Sequence, residues 1–253
     1  MNELSTRTTG SAWSSLYRIG GAAILIAIPI YLLDIGISLA VEGADISPAA
    51  LTATELFVLY QNNLLLGLRA LGIINVATLT VSVPMFLALY AAHRREYSAY
   101  AALALAVWLV GATVYISNNV SLPMLALSSK YAAATADSQR ALLAAAGEAM
   151  IARGADFTPG SFVGFFFTEM GAMAFSLIML RSRVFSKATA YSGIAGFVLL
   201  SVATVCSTFF PSLTDAALAV STIGGLSGLA WYLLVAVRLL RLGADRETTR
   251  SKE

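Results

Sequence analysis

An apolar stretch that runs from Phe162 to Leu180 carries a carboxylate, Glu169, near its middle. The stretch is long enough to cross the hydrocarbon core of a bilayer as a helix. A charge at that depth costs roughly 2.5–3.5 kcal/mol on insertion scales, so the carboxylate needs a partner or a hydrated cavity. These two properties together predict a membrane helix whose polar side chain faces the interior of a helical bundle.

The composition of the whole chain is that of a membrane protein. Of its 253 residues, 58% are hydrophobic and 12% are charged, and the mean hydropathy is +0.78. Soluble domains carry about 25% charged residues. The net charge of +2 comes without a basic stripe interleaved with aromatic residues, so we expect no nucleic-acid partner.

Six apolar stretches reach the length of roughly 20 residues that a transmembrane helix needs. We predict an all-α, polytopic transmembrane bundle, with residues 19–241 as a single six-span domain between an N-terminal segment, residues 1–18, and a basic tail, residues 242–253. The predicted spans are Ile19–Val41, Asn63–Ala92, Ala99–Leu127, Thr158–Leu180, Ala188–Pro211 and Ala216–Leu240.

The distribution of positive charge predicts the orientation of these spans. Only Lys130, Arg140 and Arg153 fall in the segments on one side, and Arg69 lies within a span. The positive-inside rule therefore places both termini in the cytoplasm. The other twelve of the 16 Lys and Arg residues fall on the cytoplasmic side: Arg7, Arg18, Arg94, Arg95, Arg181, Arg183, Lys187, Arg238, Arg241, Arg246, Arg250 and Lys252.

Two segments on the predicted outer side contain further helices. The pair Ser47-Pro48 is typical of a helix start and predicts a helix over Ala49–Tyr60. Within the outer loop, residues 128–157, the part Ser138–Arg153 is rich in helix-forming residues. We expect a short extracytoplasmic helix there, between spans three and four. It either lies at the membrane interface over the bundle or is a solvated connector.

Polar residues of four spans fall at a similar depth. Two carboxylates and one arginine cannot all face lipid at tolerable cost, so we expect them to face one another. The planar guanidinium of arginine is suited to bridging two carboxylates. At about 1.5 Å per helical residue, the outer-to-middle layer holds six candidate ligand-binding residues: Asp34, Arg69, Asn75, Asn118, Asn119 and Glu169.

This layer has a functional and a structural interpretation. As a site, it offers Glu169 and Asp34 as candidate catalytic acids or as carriers of a proton or cation. As a structure, a buried Asp–Arg–Glu network with asparagines can lock helices in register without binding anything. No metal site or cofactor is expected, because one histidine, His93, and one cysteine, Cys206, exclude the usual zinc and bis-histidine haem sites.

Three stretches resemble a known family. Tyr17–Gly21 (YRIGG), Met124–Ala136 (MLALSSKYAAATA, continuing to Arg140) and Met179–Ile194 (MLRSRVFSKATAYSGI) are similar to an uncharacterised family of bacterial multi-pass membrane proteins, a domain of unknown function. The resemblance implies a bacterial inner-membrane protein with this pattern of spans. It implies no activity and no catalytic residue.

Three functions remain open on these observations. The first is binding or transport of a small or lipid-like ligand at an outward-facing intramembrane site. The second is an intramembrane enzyme that acts on a lipid or isoprenoid, with Glu169 or Asp34 as general acid. The third is a structural or regulatory membrane protein. Transport also needs a pathway to the inner side, and the inner halves of the spans are very apolar. The expected partners are the lipid bilayer and such a ligand, and the oligomeric state is left open.

Overall fold

The structure, a computed structural model, describes residues 2–40 and 51–250, and this described part is helical throughout, without a strand. The predicted all-α class is thereby confirmed. A short 3-10 turn, Pro211–Leu213, precedes the last helix. The helices are α1 (Asn2–Ala40), α2 (Ala53–Asn62), α3 (Leu64–Ala70), α4 (Ile73–His93), α5 (Ser98–Asn118), α6 (Ser121–Ala133), α7 (Asp137–Gly154), α8 (Pro159–Arg181), α9 (Lys187–Phe209) and α10 (Thr214–Arg250).

Six of these helices form a closed ring. Each of α1, α4, α5, α8, α9 and α10 contacts the next one in this order, and α10 returns to contact α1. Six segments of the described chain, one around each ring helix, are long and apolar enough to cross a membrane. The predicted number of six spans is therefore confirmed, and the chain has the architecture of a multi-pass membrane protein.

The outer surface of the ring is apolar. Ile26, Leu103 and Leu226, on three different ring helices, are each more than 60% exposed. Side chains of this size are rarely so exposed on a soluble protein over a continuous surface. Lipid tails cover such a surface without cost, which agrees with the length and hydropathy of the helices.

Glycines let neighbouring ring helices approach closely. A Cβ atom built on Gly196 of α9 would lie 2.7 Å from the backbone nitrogen of Gly228 on α10. A Cβ atom on Gly111 of α5 would lie 2.5 Å from the backbone nitrogen of Thr168 on α8. Because lipid provides no hydrophobic drive for association, such close backbone contact is a main source of helix affinity in membranes.

The second predicted span, Asn63–Ala92, is not one continuous helix. Helix α3 ends and α4 begins on either side of Gly72, which has a φ of 76°. This left-handed conformation strains every residue that carries a Cβ atom. A Cβ atom there would also lie 2.3 Å from the hydroxyl oxygen of Tyr115. As a result, Arg69 lies on the short helix α3 and not within the span.

The third predicted span, Ala99–Leu127, is broken as well. Asn119 has an extended backbone, with ψ at 131°, between the end of α5 and the start of α6. Its side-chain oxygen accepts a hydrogen bond from the backbone N–H of Ser121 at 3.1 Å. Asparagine side chains compete in this way with helical backbone hydrogen bonds, which explains why the helix ends here.

The helices α2, α3, α6 and α7 pack together at one end of the ring, and we call them the helical cap. On α7, Gly147 lies against Ala53 and Phe57 of α2, whereas Leu142 is 72% exposed. The carboxylate of Glu148 accepts a hydrogen bond from the backbone N–H of Ala53 at 2.7 Å. The helix predicted in the loop 128–157 thus packs on other helices along one side. The buried apolar core of the cap consists of Ala53, Leu56, Phe57, Tyr60, Leu71, Val120, Met124, Ile151 and Ala155.

Helix α2 begins later than the predicted helix Ala49–Tyr60. Its N-cap residue is Thr52, whose hydroxyl accepts from the backbone N–H of Glu55, while the Glu55 carboxylate accepts from the backbone N–H of Thr52 at 2.7 Å. This capping box defines the start of the helix. The backbone N–H of Thr52 and then its hydroxyl donate to the Glu55 carboxylate and hold the pKa of this carboxyl below its usual range. The pair Ser47-Pro48 lies outside the described residues.

The half of the ring away from the cap is filled with aromatic side chains. Phe86 stacks on Trp108 with ring centroids 3.9 Å apart, and Phe175 and Trp231 pack against Phe86 at 5.9 and 6.2 Å. These four side chains are buried. The ring is therefore densely packed on this side, and polar groups are concentrated nearer the cap.

The break at Gly72 generates the first prediction. Gly72→Ala should lower the free energy of unfolding by about 2 kcal/mol or more, because the left-handed conformation and the Tyr115 hydroxyl both oppose a Cβ atom. For a chain of this size that corresponds to about 4–8 °C in the thermal midpoint, measured in detergent. Gly36→Ala is the control, since a Cβ atom there meets nothing within 4 Å. Equal midpoints for the two variants would contradict this account of the break.

Candidate functional site

A cavity of about 210 Å³ lies inside the ring, and all six ring helices contribute to its walls. It is partly open and mostly apolar. Its lining residues on α4 and α8 come from the halves of these helices that lie next to the helical cap, which places the cavity between the cap and the aromatic half of the ring. The polar side chains on its walls are those of Tyr31, Asn75, Thr78, Ser82, Thr168, Glu169 and Tyr232.

Glycines of α10 help to keep this space open. A Cβ atom on Gly225 would meet nothing closer than the Tyr31 hydroxyl, at 4.0 Å. The preceding residue, Gly224, points instead toward α9, where a Cβ atom would lie 3.0 Å from the backbone nitrogen of Leu200. Adjacent glycines therefore have different effects: one permits close helix packing, and the other leaves volume in the cavity.

Glu169 on α8 is the carboxylate on the cavity wall. Its side-chain oxygen Oε1 accepts a hydrogen bond from the Thr204 hydroxyl of α9 at 2.8 Å. Its other oxygen, Oε2, is buried and has no hydrogen-bond partner among the described residues. An unsatisfied buried carboxylate oxygen carries a desolvation cost that a ligand with a hydrogen-bond donor can remove.

The threonine and serine hydroxyls on the cavity wall each donate a hydrogen bond to a backbone carbonyl. The hydroxyl of Thr78 donates to the carbonyl oxygen of Asn75, that of Ser82 to the carbonyl oxygen of Thr78, and that of Thr168 to the carbonyl oxygen of Phe165. Each of these hydrogen bonds stays within one helix. The free oxygen of Glu169 is thus the most evident hydrogen-bonding position for a ligand.

Asp34 and Arg69 form an ion pair near the cap. The Arg69 Nε donates to Asp34 Oδ1 at 2.7 Å, and the side chains are 12% and 27% exposed, respectively. The guanidinium also donates to the backbone carbonyl of Asp34 at 3.1 Å. The expected bridge from this arginine to both carboxylates is not what the structure shows, because Glu169 has the Thr204 hydroxyl as its partner.

A polar cluster that the sequence analysis missed is centred on Asp156, between α7 and α8. Its Oδ1 accepts from the Tyr115 hydroxyl at 2.7 Å, and its Oδ2 accepts from the Asn75 side-chain amide at 2.9 Å. Asn75 also lines the cavity, so this cluster forms part of the wall toward the cap. The signal in the sequence was an acidic residue just before the fourth span, but it was assigned to an outer loop.

The two adjacent asparagines have structural partners. The Asn118 side-chain amide donates to the carbonyl oxygen of Gly160 at 3.2 Å, and that of Asn119 donates to the carbonyl oxygen of Leu71 at 2.8 Å. Neither asparagine is among the residues that line the cavity. Of the six predicted site residues, Asn75 and Glu169 thus reach the cavity wall. Asp34 and Arg69 pair with each other, and the two asparagines, Asn118 and Asn119, donate to backbone carbonyls.

A protein-family model described as a domain of unknown function (DUF4386) matches residues 61–243. The chain belongs to this family. The match includes Gly72, the Asp156 cluster and Glu169, whereas all of α1 precedes it. The resemblance to an uncharacterised membrane-protein family is thus confirmed. No curated protein and no solved structure matches the chain.

The described residues contain no group of three or more His, Cys, Asp or Glu side chains that could hold a metal ion. The one histidine, His93, is buried at the end of α4 away from the cap. Its Nδ1–H donates to the carbonyl oxygen of Leu89 at 2.8 Å, and its ring stacks on Phe185.

The Asp156 cluster generates the second prediction. Tyr115→Phe and Asp156→Asn should each lower stability by about 1–3 kcal/mol, because each removes a buried hydrogen bond or weakens it. The double variant should lose less than the sum of the two, since both changes break the same contact. Thermal unfolding of the four proteins in detergent measures this coupling. Ser186→Ala, at the N-cap of α9 on the other side of the bundle, is the control and should add independently to Tyr115→Phe.

Proposed function

We propose that the central cavity binds a small or lipid-like molecule within the membrane. The observation that supports this most directly is the cavity itself, with walls from all six ring helices and a buried carboxylate oxygen that lacks a partner in the described chain. Pockets for small molecules are typically apolar, with a few well-placed polar groups. A purely structural polar lock requires no such space.

The volume limits the size of the ligand. An engineered apolar cavity of about 150 Å³ holds one benzene molecule. A cavity of about 210 Å³ therefore suits a single ring with a short substituent, or a segment of an acyl or isoprenyl chain. A complete phospholipid does not fit inside.

The packing of the ring favours access from one side. The half away from the cap is filled by buried aromatic side chains, including Phe86, Trp108 and Trp231. A transport pathway across the membrane requires these side chains to move apart, whereas a binding site open near the cap does not. We therefore propose binding from the cap side as the basic activity.

The proposal includes an orientation in the membrane. With both termini in the cytoplasm of a bacterial inner membrane, the basic segments lie inside, as the positive-inside rule requires. The helical cap and the half of the ring that holds the cavity then lie on the outer side. A ligand reaches the cavity from the outer leaflet or from the outer aqueous phase.

Cysteine labelling tests this orientation. In a Cys206→Ser background, Ser138→Cys on α7 should react with a membrane-impermeant maleimide added to intact spheroplasts. Ser251→Cys in the C-terminal tail should react only after the membrane is permeabilised. The reverse pattern would place the cap in the cytoplasm and refute the proposed orientation.

Filling the cavity tests the binding proposal. Gly225→Leu should fold, because its side chain enters open space, and it should remove most of the volume for a ligand. We expect 2-phenylethanol, a one-ring probe, to raise the thermal midpoint of the natural chain in detergent by a few degrees and to leave that of Gly225→Leu unchanged.

The control for this experiment is Gly36→Leu, which adds the same side chain where a Cβ atom meets nothing within 4 Å. This variant should respond to 2-phenylethanol as the natural chain does. If all three proteins respond equally, the probe acts through the detergent or the outer surface, and the cavity is not its binding site.

A further inference from the structure

We infer that the ligand of the central cavity is an organic ammonium ion, in which a protonated amine on a small apolar body lies against Glu169. This inference rests on the proposed function, because it names the chemical class of the ligand that the cavity binds. Two independent observations lead to it: the charge left without a counterion, and the aromatic composition of the walls.

The first observation concerns the carboxylate. The hydrogen bond that Glu169 accepts comes from a neutral hydroxyl, that of Thr204, and its oxygen Oε2 has no partner in the described part of the chain. The arginine of the predicted polar layer, Arg69, is paired with Asp34. A buried carboxylate without a cation is costly, and a ligand that brings a positive charge and an N–H donor offsets that cost.

The second observation concerns the walls. Aromatic side chains from five of the six ring helices line the cavity: Tyr31, Trp108, Phe165, Phe197 and Tyr232. The negative face of an aromatic ring attracts a cation within about 6 Å of its centroid, and desolvation strengthens this attraction. Aromatic rings around the ligand are the usual composition of sites that bind quaternary ammonium groups.

An inorganic cation fits this site poorly. Metal ions such as Ca²⁺ and Mg²⁺ need about six oxygen ligands. The wall offers one carboxylate, that of Glu169, the Asn75 amide and a few single hydroxyls, and the rest of it is apolar or aromatic. An organic cation needs no such shell, since its apolar body contacts the walls and only its nitrogen needs a polar partner.

A matched pair of probes separates charge from shape. Phenethylammonium and 2-phenylethanol have the same ring, the same chain length and nearly the same volume, but only the first is a cation and a charged donor. We expect phenethylammonium to bind the purified full chain at least 10-fold more tightly, as measured by calorimetry in a non-ionic detergent. This comparison uses the natural chain and does not depend on the folding of any variant.

Variants then assign the preference to one residue. Glu169→Gln keeps the size of the side chain and a hydrogen bond with Thr204 but removes the charge. It should abolish the preference for phenethylammonium and leave binding of 2-phenylethanol unchanged within about twofold. Glu96→Gln, the same substitution at an exposed position outside the cavity, should keep the full preference.

The outcomes distinguish this inference from the proposed function. If both probes bind equally, if Gly225→Leu abolishes both, and if Glu169→Gln changes neither, the cavity is a binding site but its ligand is neutral, and the inference is overturned. If neither probe binds the natural chain and Gly225→Leu changes nothing, both the inference and the proposed function fail. A preference that survives Glu169→Gln also overturns the inference, since another group must then provide it.

Discussion

Every backbone polar group inside a membrane must find a partner within the protein, and this requirement organises the cap end of the ring. Two ring helices are preceded or followed by a break, one at Gly72 and one at Asn119. The breaks lie side by side, and the Asn119 amide donates to the backbone carbonyl of Leu71. Each interruption therefore helps to satisfy the other, and the chain can leave helical geometry near the membrane without exposing backbone groups to lipid.

The same breaks explain how the polar side chains are distributed. Because α3 is separate from α4, Arg69 lies beside Asp34 and pairs with it. Because Gly72 carries no side chain, Tyr115 can approach this turn and donate to Asp156. These contacts satisfy the polar groups near the cap. Glu169 lies deeper in the ring, makes none of these contacts and faces the cavity.

Much of the fold followed from the sequence, because the thickness of a bilayer sets the length of an apolar helix. The number of spans has this origin, and the polar layer was predicted from the depth of polar residues along these spans. The partners of those residues did not follow, since depth gives one coordinate of a side chain and leaves its direction around the helix axis open. The turn at Gly72 lies within an apolar run and has no polar signal. Asp156 was passed over because it falls in the predicted outer loop, outside the spans.

The feature of Glu169 that helix packing does not explain is its negative charge. The hydrogen bond from Thr204 needs only an acceptor, and the side-chain oxygen of a glutamine would provide one at lower desolvation cost. A lock between α8 and α9 thus does not require the carboxylate, and the close contact of these helices rests on small residues and apolar packing. No contact of Glu169 among the described residues uses its negative charge. The charge gains a physical role only when a positive group enters the cavity.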